Sequence, residues 1–393
     1  MCIEIFEQDA YVFEFEASVT SVEGDWVSLD ATAFYPGGGG QVHDLGKICG
    51  LDVKEVRRKG GDIIHSVPKH SLKAGDKIWC SVDWERRYDL MKGHTAEHLL
   101  FGSLKREVPE LNIVKIFISP DSKYVIVDTD VPWDSIKKAQ ESVNSAIRDN
   151  LPVTKSTVSK DDPDIGEIRA KLERIEGDVM TVVEIGDVDV AACSGIHVRE
   201  TEEIVALLVD RKVSAGKDGV AIHFRIGDDA ISRSMELSNI CLQMIETLGT
   251  KPEDAVKAAQ NIRHEAGTKA SQLRTAVSRL IADLRPETMN GIPVYSGIFD
   301  TDDRNTMTDA AEKIKNGGGV AVLFAKSETI SVFLSSGTKG IDCSKVLKDA
   351  VSKTNGRGGG KADFAQGGVP DVTVAETLMN DILTAVKNSI AQK

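Results

Sequence analysis

Two short pairs of metal-binding side chains, far apart in the chain, constrain this sequence more than any other feature. His94-Thr-Ala-Glu-His98 lies in a stretch of helical period, so its two imidazoles project from one helix face about one turn apart, where they can grip a single cation. Cys193-Ser-Gly-Ile-His197 can add a thiolate and a third ring nitrogen. A mixed nitrogen and sulfur set favours Zn²⁺ over Mg²⁺ or Ca²⁺. A lone H-x-x-x-H is more often two ordinary helical histidines, but here a second pair accompanies it. The protease pattern H-E-x-x-H is excluded, because Glu97 lies beside His98 and leaves no general base beside His94.

A chain of 393 residues suggests two or three domains, each able to bury its own core. With 41% apolar and 28% charged residues it has the profile of a globular protein, not a disordered one. No apolar run approaches a membrane span, and Glu4, Glu7 and Asp9 stand where a signal peptide would be basic. The six cysteines form no C-x-x-C pair and no disulfide framework. The expectation is a cytoplasmic protein with no membrane partner. The net charge of −13 argues at first sight against nucleic acid, but residues 1–227 carry −12 of it. Residues 257–285 and 339–361 are each about +4, a modest phosphate-facing stripe or simply a solvated helix face.

Short alternating segments separated by turn signals at Gly24, Pro36, Gly60-Gly61 and Gly75-Asp76 predict a small sheet or barrel over residues 1–75. The period turns helical over 85–107. Strands at 113–118, 124–127, 178–185 and 188–191, with a helix at 133–150, predict an α+β domain over 76–227. A helical arm follows at 228–285. Its apolar seam of Ile262, Ala266, Ala270, Leu273, Val277, Leu280 and Leu284 is coiled-coil-like. Residues 286–393 predict a separate α/β domain containing a glycine-rich loop before the last helix. The expected class is therefore α+β multidomain.

Two glycine clusters remain. In the first, Phe34-Tyr-Pro-Gly-Gly-Gly-Gly-Gln41, the glycines allow close backbone approach or positive φ, and Thr32, Gln41, His43 and Asp44 offer polar groups around them. By composition it could equally be a hairpin turn. The second, Asn355-Gly-Arg-Gly-Gly-Gly-Lys-Ala362, is not a P-loop, since Asn355 replaces the first glycine and Ala362 the metal-binding hydroxyl. Arg357 and Lys361 could still serve an anion-binding nest for RNA phosphates, the alternative being a structural turn.

T-x-F-Y-P-x-G-G-G-Q-x-x-D-x-G, H-T-A-x-H-L-L and C-x-G-x-H-V, in this order over residues 1–227, resemble the editing domain of alanyl-tRNA synthetase and its free-standing AlaX relatives. The second glycine cluster in its βαββα setting resembles the DHHA1 domain, and the whole layout is similar to the long AlaX type. Three positions depart from the family pattern: Gly37 stands for a glutamate, Ser194 for a glycine and Ile196 for a threonine.

The resemblance implies a small N-terminal β-barrel, a zinc editing domain, a helical arm and a DHHA1-like tRNA-binding and dimerisation domain. It implies a Zn²⁺-dependent hydrolase of mischarged tRNA(Ala), chiefly seryl and also glycyl, with His94, His98, Cys193 and His197 as ligands. Thr32, Gln41 and Asp44 become the catalytic candidates, Thr32 as the contact to the serine hydroxyl. Arg357 and Lys361 become tRNA contacts, and the arm and C-terminal domain a homodimer interface. The rival readings are a tRNA-binding adaptor with a structural zinc and a metal-dependent esterase of small substrates.

Overall fold

In the computed structural model, which describes residues 2–163, 165–170 and 177–391, the strand Glu14–Glu23 alternates as its pattern requires, with Phe15, Ala17 and Val19 buried. It is the central member of a seven-stranded antiparallel sheet. On one side lie Lys77–Val82, Gly46–Ile48 and Leu51–Val53, and on the other Trp26–Leu29, Asp62–Ser66 and Glu55–Lys59. A single residue, Lys54, joins the two edge strands, so the sheet curls until it is nearly closed. The Lys54 amide donates to the Ser66 carbonyl at 2.8 Å, extending the ladder of Glu55–Lys59 on Asp62–Ser66. The expected limit at residue 75 falls just before Lys77–Val82, which pairs directly with Glu14–Glu23. It does not separate cores either, because Phe34, Val82, Leu90, Leu100, Val125 and Phe224 belong to one continuous cluster.

The chain divides into two units, residues 1–244 and 245–393. Through the first runs the helix Trp84–Glu107, capped by the Asp83 carboxylate, which accepts from the Arg86 amide at 3.2 Å. From Leu90 to Leu104 almost every residue on it is buried, so it is a central helix rather than one with a single apolar stripe. Around it lie the helix Trp133–Arg148 and two antiparallel sheets. One has the order Ile113–Ile118, Lys123–Val127, Val220–Ile226, Leu207–Ser214. The other has the order Val153–Ser159, Val179–Ile185, Asp189–Ala192. The strands Val153–Ser159, Leu207–Ser214 and Val220–Ile226 go beyond the sequence expectation. Polar residues fill the exposed side of the first, and a register shift between Val209 and Arg211 breaks the alternation of the second.

The second unit is built on a six-stranded sheet of order Glu287–Met289, Ile292–Asp300, Val320–Lys326, Ile330–Ser336, Phe364–Val369, Arg357–Gly360. Val320–Lys326 is buried on both faces. Val320, Val322 and Phe324 join one core with Leu347, Leu378 and Ile382, while Ala321, Leu323 and Ala325 join another with Met307, Val277 and Ile281.

One expectation is corrected here. The glycine-rich loop is a β-hairpin: Arg357–Gly360 is an antiparallel strand on Phe364–Val369, and none of Gly356, Gly358, Gly359 and Gly360 has positive φ, so they form no nest. A Cβ at Gly358 would meet the Gly367 Cα at 3.1 Å and Leu347 at 3.2 Å. The seam of the helix Ala255–Ala282 is not buried as a unit. Val277 and Ile281 enter the core, while Ile262, Leu273 and Leu280 are exposed. No described helix is long and apolar enough to cross a membrane.

Candidate metal centre

The ligand atoms of His94, His98, Cys193 and His197 all lie within 4.8 Å of one another. His94 and His98 sit in the middle of the central helix, and Cys193 and His197 on the segment that follows Asp189–Ala192. Gly195, between the latter pair, is required by packing, because a Cβ there would overlap the His94 ring. Cys193 Sγ lies 3.5 Å from His94 Nε2 and 3.4 Å from His197 Nε2. Tetrahedral zinc with bonds of about 2.0–2.3 Å has donor separations of about 3.3–3.8 Å, and the two Cys193 separations fall in that range.

The outer hydrogen bonds fit as well. His94 Nδ1 is 2.8 Å from Gln41 Oε1, and His98 Nδ1 is 2.7 Å from Asp189 Oδ2. His197 Nδ1 is 3.2 Å from Thr95 Oγ1, whose own proton goes to the Met91 carbonyl at 3.0 Å. Each imidazole therefore has an acceptor for an Nδ1–H, leaving Nε2 as the free donor, the arrangement that fixes histidine tautomers around a metal. Arg169 holds Asp189 from the far side at 2.7 Å.

Charge is shared among the four side chains. Burial disfavours a thiolate, yet His94 and His197 hold Cys193 well below its ordinary pKa. Burial likewise opposes a charged His98, but Asp189 and Cys193 outweigh it and raise its pKa to about 10. Burial, reinforced by the charge of His94, pushes His197 down to about 3. A thiolate surrounded by imidazoles is a site that exchanges protons for a cation. The described residues thus supply a cluster able to hold a metal.

Residues 5–86 match the class II (A) tRNA synthetase family, 180–217 the threonyl and alanyl tRNA synthetase second additional domain, and 291–392 the DHHA1 domain. The alanyl-tRNA editing protein AlaX-L of Pyrococcus horikoshii is 29% identical over 94% of this chain and 95% of its own length. The alanine–tRNA ligase of Methanoregula boonei is also 29% identical, over 93% of this chain but only 41% of its own length. These matches fit an alanyl-tRNA editing protein. It spans about two fifths of the full-length ligases it matches. Among solved structures, the C-Ala domain of Aquifex aeolicus alanyl-tRNA synthetase covers 25% of this chain and 98% of its own, at 19% identity and a TM-score of 0.22.

Of the residues that the editing-family pattern marked as catalytic, Gln41 alone touches the cluster. Its Oε1 receives the His94 proton while its buried Nε2 has no partner among the described residues. The glycines before it make this possible: Gly37, Gly38, Gly39 and Gly40 all have positive φ, and a Cβ at Gly40 would lie 2.6 Å from the Ile116 carbonyl oxygen. Asp44 is engaged by Arg87 and the Tyr35 amide. It is fully buried, accepts from Arg87 Nε at 2.9 and 3.0 Å and from the Tyr35 amide at 2.7 Å, and so anchors the glycine loop to the central helix.

Thr32 is likewise engaged away from the cluster. It is fully buried, its hydroxyl is 2.9 Å from His65 Nε2, and its oxygen accepts from the Phe34 amide at 3.1 Å. His65 Nδ1 faces the Val27 carbonyl at 3.1 Å, so Nε2 is the acceptor and the Thr32 proton is committed. Burial pushes His65 down to about 4, keeping it neutral for this role. Arg357 and Lys361 are exposed at the C-terminal hairpin.

The sequence reading missed Thr95, Asp189 and Arg169. Thr95 stands inside the H-T-A-E-H motif and could have been found there, whereas Arg169 carries no signal. Glu97 was noted only for the motif it excludes. It is fully buried with neither carboxylate oxygen paired, and burial raises its pKa.

Proposed function

We propose that this chain is a zinc-dependent trans-editing hydrolase that deacylates tRNA(Ala) carrying the wrong amino acid, serine first and glycine second. The near full-length likeness to AlaX-L carries this reading, and the four-donor cluster supports it. The chemistry asks for such an enzyme, because a pocket built for alanine cannot strongly reject an analogue that only adds a hydroxyl. Zn²⁺ bound to His94, His98, Cys193 and His197 would polarise the ester or lower the pKa of a bound water to about 7. The protein's own part is to hold the donors: Gln41 orients His94, Asp189 with Arg169 orients His98, and Thr95 orients His197. Gln41 Nε2 is an uncommitted donor beside them. With the Thr32 hydroxyl committed to His65, discrimination between serine and alanine falls to the polar groups of the cavity beside His197.

The finer layout is an N-terminal barrel, an editing domain, a helical arm and a DHHA1 domain that delivers tRNA and pairs two chains in the cytoplasm. The exposed Ile262, Leu273 and Leu280 on one helix support a homodimer, and Arg357 and Lys361 support phosphate contact. The deciding experiment is deacylation of seryl-, glycyl- and alanyl-tRNA(Ala) by purified protein before and after chelation. Seryl-tRNA(Ala) should be cleared fastest, the activity should vanish with the metal, and zinc should restore it. Activity indifferent to chelation assigns any zinc a structural role, and no deacylation by zinc-loaded protein rejects the enzyme.

A further inference from the structure

The metal cluster is unevenly covered. His94 and His98 are buried, whereas Cys193 and His197 are only partly so, and a cavity of about 450 Å³ opens on that side with Gly195 and His197 in its wall. The other charged side chains of the wall form two ion pairs across it. Lys155, on the strand Val153–Ser159, meets Glu7. Arg199 meets Asp9 at 3.0 and 3.2 Å.

Arg199 is held firmly. Its amide donates to Tyr11 Oη at 3.0 Å and to Glu203 Oε1 at 2.9 Å, and its guanidinium lies 4.2 Å over the Tyr11 ring. Its side chain nevertheless remains 64% exposed, so it is a preoriented fork at the mouth of the cavity. Lys155 and Glu7 are each about a third exposed. Such exposed pairs contribute little stability and exchange partners readily.

We propose that Lys155 and Arg199 are the phosphate clamp for the 3′-terminal nucleotides of an RNA strand, with Glu7 and Asp9 holding the two cations in place until a phosphodiester displaces them. The proposal rests on the editing reading for the identity of the strand. Residues 1–227 carry a net charge of −12, so a polyanion needs local cations to bring its 3′ end to His197. A phosphodiester also matches the bidentate fork of Arg199 as well as a carboxylate does.

The test uses the full chain and an uncharged, fluorescein-labelled RNA hairpin ending in single-stranded CCA, so that binding is read without catalysis. Lys155→Ala and Arg199→Ala together should weaken binding about tenfold and flatten the slope of log K against log salt by about 1.4. Lys77→Ala should change neither. Glu7→Gln with Asp9→Asn should tighten binding, a gain that a merely damaged fold would not produce. Hairpin binding that is absent, or indifferent to both pairs of variants, overturns the clamp while leaving any deacylase activity standing. If the hairpin responds as expected but no aminoacyl-tRNA is hydrolysed, the clamp stands and the editing reading falls.

Discussion

Two glycine clusters of nearly the same composition have opposite backbones. Gly37 to Gly40 all take positive φ and fold a loop over His94, whereas Gly356, Gly358, Gly359 and Gly360 all avoid it and lie in or beside an extended strand. The first cluster uses the freedom of glycine to reach left-handed conformations, and the second uses the missing Cβ to let strand, partner strand and helix approach. What surrounds each run decides between these uses. The first is pinned at its end by the buried Asp44 and Arg87 pair, and the second is zipped onto Phe364–Val369.

The comparison is broken most severely by removing that pin. Asp44→Ala leaves the Arg87 guanidinium buried without its counter-charge, which should cost about 3–5 kcal/mol. Chemical denaturation should show the loss in the first unit, with the second unit's transition unchanged. An equal loss in both transitions would mean that the pair does not act locally.

Acid should also separate the two regions. His65 is neutral in the folded chain, with its pKa near 4 against an ordinary value of about 6.5. Below pH 6.5 the unfolded chain takes up a proton that the folded chain refuses, so stability falls between about pH 6.5 and 4 by about 3 kcal/mol. His65→Asn cannot titrate and should flatten that part of the pH profile. A profile unchanged in slope would show that His65 does not set it.

The glycines themselves give the next contrast. Gly40→Ala must adopt positive φ and displace the Ile116 carbonyl, so it should lower metal content together with activity and cost about 1–3 kcal/mol in strain. Gly358→Ala overpacks the C-terminal sheet by about 1–3 kcal/mol and should leave metal content as it was. Elemental analysis of both proteins distinguishes them, and metal loss in Gly358→Ala would contradict the separation. The smallest effect expected is at the hairpin surface. Arg357→Ala and Lys361→Ala should leave stability unchanged and each lower the salt slope of tRNA binding by about 0.9 if they meet phosphates. An unchanged slope would remove them from the interface.

The central helix, strands such as Ile113–Ile118 and Val320–Lys326, and the four clustered donors are legible in the sequence because each rests on local periodicity or short spacing. Val153–Ser159 was illegible because its exposed edge is filled with polar residues. Thr32 and Asp44 enter the catalytic candidates through the family resemblance, which carries no information on tertiary contacts. Yet both side chains point into the core, and their partners His65 and Arg87 lie 33 and 43 residues away.

The sequence by itself determined which side chains can ligate a metal and which helix carries two of them, since these depend on residue identity at fixed short intervals. Tertiary structure alone decided that Gln41, Thr95 and Asp189 orient the three imidazoles, and that the second glycine run is a strand. It also decided that the partly open side of the cluster faces Lys155 and Arg199. Hydrogen bonds and Cβ clearances between residues remote in sequence exist only once the chain has closed on itself, and no local pattern encodes them.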